Sequence, residues 1–245
     1  AQLAQTYPSS GGTYVFGREV LGPWWGFVAG WGFVIGKTAS CAAMALTFAA
    51  YAVPAGEWVQ RGAAAAVVVL FTLANLRGVT RTATMAKVLL AITLLVLVGF
   101  LAVGAVGAGD HSPDSPLEPT GGVLGILQAA GLLFFAFAGY ARIATLAEEV
   151  RRPEMLGRAI LVSLGTALVL YVAVGWLVVS TVGADLAGTT TPLFDVVRAL
   201  EADWAGPVVR VGAATAALGA LLALLAGVGR TTLAMARERD LPTTL

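Results

Sequence analysis

The sequence predicts an all-α, polytopic helical membrane protein, and three observations carry that expectation. Of 245 residues, 58% are hydrophobic and only 12% are charged, whereas a soluble domain carries roughly 25% charged residues. The apolar residues gather into six long segments, most of them longer than the roughly 20 residues that cross a 30 Å hydrocarbon core. The loops between these segments alternate in charge. Period-two alternation is absent, so helices rather than a barrel satisfy the backbone in lipid.

Taken in order, the segments run about 24–53, 62–76, 85–107, 121–146, 159–182 and 206–229, and are read as six full spans of one transmembrane domain covering residues 1–245. The opening stretch Ala1–Tyr7 reads as the tail of a helix already in progress, and both ends are expected to be truncated. Pro8 and the pair Gly11-Gly12 then make a turn. The first span carries Gly22, Gly26 and Gly30, then Gly32, Gly36 and Ser40, two ridges of small residues that let a neighbouring helix approach closely. The second span is the shortest. The fourth contains Leu132–Glu149, in which Phe134, Phe135 and Phe137 surround Ala136, Ala138 and Gly139. Pro153 separates the fourth span from the fifth, because proline stops a helix and suits the start of the next.

Sidedness follows from the basic residues. One set of loops holds Arg18, Arg77, Arg81, Lys87, Arg151, Arg152, Arg158, Arg230, Arg237 and Arg239; the other set holds Arg61, Arg198 and Arg210. Ten against three places the first set, the loops after residues 8, 76, 147 and 230, in the cytoplasm by the positive-inside rule. The opposite loops are acidic, with Glu57, Asp110, Asp114, Glu118, Asp185, Asp195, Glu201 and Asp203. The expected location is the cell membrane, with the bilayer as principal partner.

Several chemistries are excluded by composition. Cys41 is the single cysteine and His111 the single histidine, so neither a disulfide framework nor a cysteine or multi-histidine metal centre can be assembled. No phosphate-binding glycine loop, zinc-type helix pair or Ser/His/Asp set is present. No enzyme activity, metal or other cofactor is expected, and a net charge of +1 gives no reason to expect a nucleic-acid partner.

Two basic residues lie inside apolar spans, Lys37 and Arg142. Intramembrane charge is costly and tends to mark function. Arg142 sits near the cytoplasmic end of its span, where it snorkels or pairs with Glu148 or Glu149. Lys37 lies thirteen residues beyond Trp24, roughly 20 Å along the helix, too deep for its stem to reach water. It is expected to face the bundle interior, a wet cavity or a counter-ion. Burial disfavours the charged form of an amine, which makes this residue a candidate for proton coupling or for a fixed cation replacing a metal ion. Val34, Lys37, Thr38 and Cys41 follow i, i+3, i+4, i+7 spacing and share a face that mixes a charge, a hydroxyl and a thiol with apolar surface. Such a face suits a small polar ligand with an apolar part, and equally a plain helix contact. Gly139 lowers helix propensity in the fourth span, where a broken helix would free backbone groups for a solute; glycine is also common in unbroken transmembrane helices.

Three stretches together resemble one known family. They are Tyr7-Pro8-Ser9-Ser10-Gly11-Gly12-Thr13-Tyr14 with Gly22 and Gly30-Trp31; Phe134-Phe135-Ala136-Phe137-Ala138-Gly139-Tyr140 with Ala147-Glu148-Glu149-Val150 and Pro153; and Arg230-Thr231-Thr232-Leu233-Ala234-Met235-Ala236-Arg237 with Asp240-Leu241-Pro242. In this order and spacing they resemble the amino acid–polyamine–organocation (APC) permeases. The resemblance implies part of a five-plus-five inverted repeat, from the end of the second span to the end of the eighth. It implies that the sixth span of the family, here the fourth, unwinds across Phe135, Ala136, Phe137, Ala138, Gly139 and Tyr140, whose carbonyls hold a substrate amino group. Two departures stand out: Ala141-Arg142 follows where many relatives place an acidic residue, and Thr93 aligns with a lysine of the cationic branch that mimics sodium. Lys37 is the candidate for that electrostatic role.

The expected function is therefore secondary active transport of an amino acid or related amine by alternating access, with proton symport or substrate exchange ahead of sodium coupling. Phe135 to Tyr140 would form the inner half of the site, Val34, Thr38 and Cys41 its side, and Lys37 and Arg142 its charges. A channel subunit is the alternative class, which would require a ring of pore charges or carbonyls.

Overall fold

The computed structural model describes residues 11–76, 79–107, 121–137, 139 and 156–241. Every element among them is helical: α1 Thr13–Leu21, α2 Pro23–Ala52, α3 Glu57–Leu76, α4 Val79–Gly107, α5 Gly122–Phe137, α6 Leu156–Val182, α7 Pro192–Ala199 and α8 Gly206–Arg237, with short 3-10 turns at Gly183–Gly188 and Asp203–Ala205. Five stretches, Pro23–Ala52, Glu57–Leu76, Thr84–Gly107, Gly157–Gly188 and Asp203–Arg237, are long and apolar enough to cross a membrane; Gly122–Phe134 is a shorter apolar helix. The chain is an integral membrane protein of helical architecture.

The outer surface bears this out chemically. Leu95, Val106, Leu124, Trp176 and many other large apolar side chains are exposed, as a bilayer permits and water does not. Many hydroxyls on these helices bond to their own backbone. Ser40 donates to Gly36 O at 2.8 Å, Thr72 to Val68 O at 2.8 Å and Thr181 to Leu177 O at 2.6 Å, so each hydroxyl is satisfied without water. The Thr231 hydroxyl is buried and has no partner among the described residues.

Helix boundaries depart from the apolar segments where polar residues join a helix without belonging in lipid. The second span begins at Glu57 rather than near Gly62, because Glu57 and Arg61 form an i, i+4 ion pair of 2.6 Å in its first turns. The last helix continues past Gly229 to Arg237, carrying the basic Arg230 and Arg237 out of the apolar stretch. The region around Arg18 is helical rather than a plain loop. This short α1 is stopped by Gly22, whose φ of 105° is open to glycine, and Pro23 starts α2 at once.

The chain divides into two compact units. One comprises Ala1–Cys41, Val123–Leu168 and Ala223–Leu245; the other comprises Ala42–Gly122 and Val169–Leu222. The core of the second is built from Phe100, Leu177, Val178, Val196, Val197, Ala202, Ala205 and Val209. Close helix approach there depends on missing side chains: a Cβ on Gly104 would lie 2.1 Å from Leu177 Cδ2, and one on Gly212 would lie 2.3 Å from Val96 Cγ1. The core of the first is smaller, with Tyr14, Ala234 and Met235 buried and Val15, Phe27, Val34 and Leu241 packed around them.

Candidate functional site

In the first unit the site residues expected on α2 occupy distinct surroundings. Val34 packs partly buried against the Tyr14–Met235 core. Lys37 is half-buried, its Nζ 5.8 Å from the centre of the Phe33 ring. Cys41 is buried and Thr38 is exposed. Val34, Lys37 and Cys41 thus follow the inner line of the helix at i, i+3 and i+7, while Thr38 lies beyond it. Of the two glycine ridges, one is occupied: a Cβ on Gly26 would lie 2.7 Å from Arg18 Cβ, and one on Gly30 would lie 2.8 Å from both Met235 Sδ and Tyr14 Cδ2. The other ridge, Gly32 and Gly36, has nothing within 4 Å.

The glycine-aromatic segment lies in the same compact unit. Helix α5 ends at Phe137, and Gly139 is in a turn with open space where a side chain would be. Ala136 is exposed and Phe137 half-buried. Phe135 is helical in backbone. Ala138, Tyr140 and Arg142, together with Glu148, Glu149 and Pro153, lie outside the described residues. The described helix thus reaches Phe137, inside the apolar segment read from the sequence.

An arrangement that the sequence did not signal ties the start of α1 to the chain beyond α8. Tyr14, wholly buried, donates its hydroxyl to Asp240 Oδ2 at 2.7 Å. Arg18, one turn further on, donates to the same oxygen at 2.9 Å and lies 3.4 Å from Glu238. Burial, and then the hydrogen bond to the Asp240 carboxylate, push the Tyr14 phenol above its ordinary range. The partners are more than two hundred positions apart in the chain, so no local pattern could have joined them.

In the second unit Thr93 donates to Leu89 O at 2.8 Å and faces the Thr215 hydroxyl at 3.4 Å. It lines a small apolar cavity of about 60 Å³ with Val96, Phe100, Leu193 and Val209. A neutral hydroxyl pair occupies the position at which the resemblance would place a lysine in the cationic branch. No group of three or more metal-ligating side chains occurs among the described residues.

A family model described as amino acid permease matches residues 1–245. An uncharacterized transporter of Mycobacterium tuberculosis is 51% identical over 245 residues, covering 99% of this chain and 55% of the relative. A branched-chain amino acid permease of Bacillus subtilis is 26% identical, covering 100% of this chain and 57% of the relative. A vacuolar cationic amino acid transporter of Arabidopsis thaliana is 25% identical, covering 99% of this chain and 44% of the relative. The chain spans about half the length of the curated relatives it matches.

Proposed function

We propose that this chain, which belongs to the amino acid permease family within the APC superfamily, forms part of a secondary transporter that moves an amino acid or related amine by alternating access. The observation that carries this reading is the end of α5 at Phe137, within an apolar segment, with Gly139 in a turn. Transporters place broken helices at membrane depth, where backbone groups meet a substrate, and a helix boundary beside Gly139 fits that pattern. Phe135, Ala136, Phe137, Ala138, Gly139 and Tyr140 form the inner half of the site, and Val34, Thr38 and Cys41 flank it. The names of the Bacillus and Arabidopsis relatives, branched-chain in one case and cationic in the other, support an amino-acid substrate without choosing its side chain.

Lys37 is the coupling or site-shaping charge of this proposal. A half-buried amine on the inner line of α2 changes its electrostatics with the solvent access that alternating access provides. Proton symport or exchange is the coupling mode, and Arg142 acts as a charge at the cytoplasmic end of the same span as Gly139. The protein resides in the cell membrane with the loops after residues 8, 76, 147 and 230 in the cytoplasm, as the ten-to-three distribution of basic residues supports.

The test is counterflow of a panel of labelled amino acids and amines into proteoliposomes holding the full-length protein. Saturable uptake of at least one is the expected result; none at all would end the transport reading.

A further inference from the structure

We propose that Arg210, held over the Phe194 ring at the acidic-loop end of α8, is a binding site for the carboxylate of a small solute. Arg210 lies within the apolar stretch Asp203–Arg237 and is half-buried. It stands one turn into α8, where a long basic side chain either reaches the interface or meets a partner. The partner within the protein is aromatic: the guanidinium carbon sits 4.4 Å from the centre of Phe194. A ring face attracts the charge but accepts few hydrogen bonds, so the fork of N–H donors is left for something else. Among the described residues the ion pairs are made by Arg18 and Arg61, and none by Arg210.

The stack is built rather than incidental. Gly206 and Arg210 are one helical turn apart on the same face of α8. A Cβ at Gly206 would lie 2.9 Å from Phe194 Cε2, so only glycine lets the ring lie this close beneath the arginine. Phe194 itself is fixed. Its helix α7 begins with Pro192, Thr189 donates its hydroxyl to Asp195, and the Tyr51 hydroxyl meets the backbone of Leu193. Val196 and Val197 anchor the next turn in the core. Asp195, the carboxylate closest along the chain to Phe194, is thereby engaged by Thr189. Among the described residues the arginine is held in place without a carboxylate of its own.

A planar guanidinium grips a carboxylate through two parallel hydrogen bonds, which ammonium and hydroxyl ligands cannot reproduce. The N-terminal end of α8 adds partial positive charge of the same sense. A cavity of about 60 Å³ is lined by Leu193, Val209 and Ala213, chain neighbours of Phe194 and Arg210, though by neither of those two side chains. Its apolar walls suit a small aliphatic group. The ligand class is therefore a short aliphatic carboxylate, as an amino acid presents when it approaches from the acidic-loop side. This choice of ligand rests on the transport reading, whereas its test does not require transport.

The experiment is calorimetric titration of the full-length protein in nanodiscs with two probes: isovalerate, which keeps the carboxylate and lacks the amine, and isoamylamine, which does the reverse. Isovalerate is expected to bind wild type, to weaken tenfold or more in Arg210→Gln, and to weaken less in Arg210→Lys and Phe194→Leu, which keep the charge and lose the fork or the platform. Isoamylamine affinity is expected to change less than twofold in all three. Isovalerate binding that is absent in wild type, unchanged in a monodisperse Arg210→Gln protein, or reduced equally with that of the amine would overturn the proposal. Absent amino-acid uptake alongside Arg210-dependent isovalerate binding would refute the transport reading and leave this site standing.

Discussion

Removing the Asp240 carboxylate tests how the start of α1 is held to the end of α8. The Tyr14 hydroxyl is wholly buried and 2.7 Å from Asp240 Oδ2, so Asp240→Ala strands a desolvated donor. Stranding a buried polar group costs roughly 1–3 kcal/mol, and a hydrogen bond to a charged acceptor contributes about 1.5–3 kcal/mol. The Arg18 contact at 2.9 Å adds less, because Arg18 and Asp240 keep about a fifth of their side-chain surfaces in solvent. Asp240→Ala should therefore destabilise by roughly 2–4 kcal/mol, and Tyr14→Phe, which removes donor and demand together, by roughly 1–2 kcal/mol. The double variant should be scarcely worse than Asp240→Ala, giving a coupling energy of roughly 1–2 kcal/mol. Thermal midpoints of the four proteins in one detergent, read by fluorescence-detected size exclusion after heating, supply the cycle. Strict additivity of the two single effects would refute the shared hydrogen bond.

Other outcomes follow from the same contacts. Because folding raises the Tyr14 phenol above its ordinary range, its contribution is complete below about pH 10 and is lost as pH rises past that value; the stability advantage of wild type over Tyr14→Phe should shrink between pH 9.5 and 11, on the order of 1.4 kcal/mol per pH unit once the unfolded phenol ionises, and a constant advantage in thermal scans would contradict it. Gly30→Ala places a methyl 2.8 Å from Tyr14 and Met235 and should cost roughly 1–3 kcal/mol of stability, whereas Gly36→Ala meets nothing within 4 Å and should be neutral or stabilising by up to about 1 kcal/mol; equal thermal shifts would undo the distinction between the two ridges. Lys37→Met should flatten the dependence of uptake on external pH, and superimposable wild-type and variant profiles would remove Lys37 from coupling.

Much of the architecture was legible because lipid imposes one rule, that backbone groups be satisfied within each span. Apolar length therefore located helices such as α4 and α6 with little further information. Boundaries were less legible where a helix runs into water: Glu57 and Arg61 look like loop residues until their ion pair places them in the first turns of α3. Helix α1 was missed because nine residues between glycines carry too little periodicity, and its burial rests on Tyr14 meeting residues from the far end of the chain. The candidate site was partly legible. The i, i+3, i+7 line through Val34, Lys37 and Cys41 is a property of helical geometry, and these three are half-buried or buried, while the exposure of Thr38 depends on which neighbours pack there. Arg210 entered the reading only as a charge near a span end, because its stack on Phe194 depends on how the short helix α7 folds back onto Gly206.

The account turns on whether water and substrate reach the peptide groups just past Phe137. In the full-length protein with Cys41→Ser, Ala138→Cys should react with a membrane-impermeant thiosulfonate, and a transported amino acid should slow that reaction severalfold while leaving a Leu124→Cys control unchanged. An Ala138→Cys protein that stays unlabelled, or labels at a rate indifferent to every amino acid supplied, would contradict it.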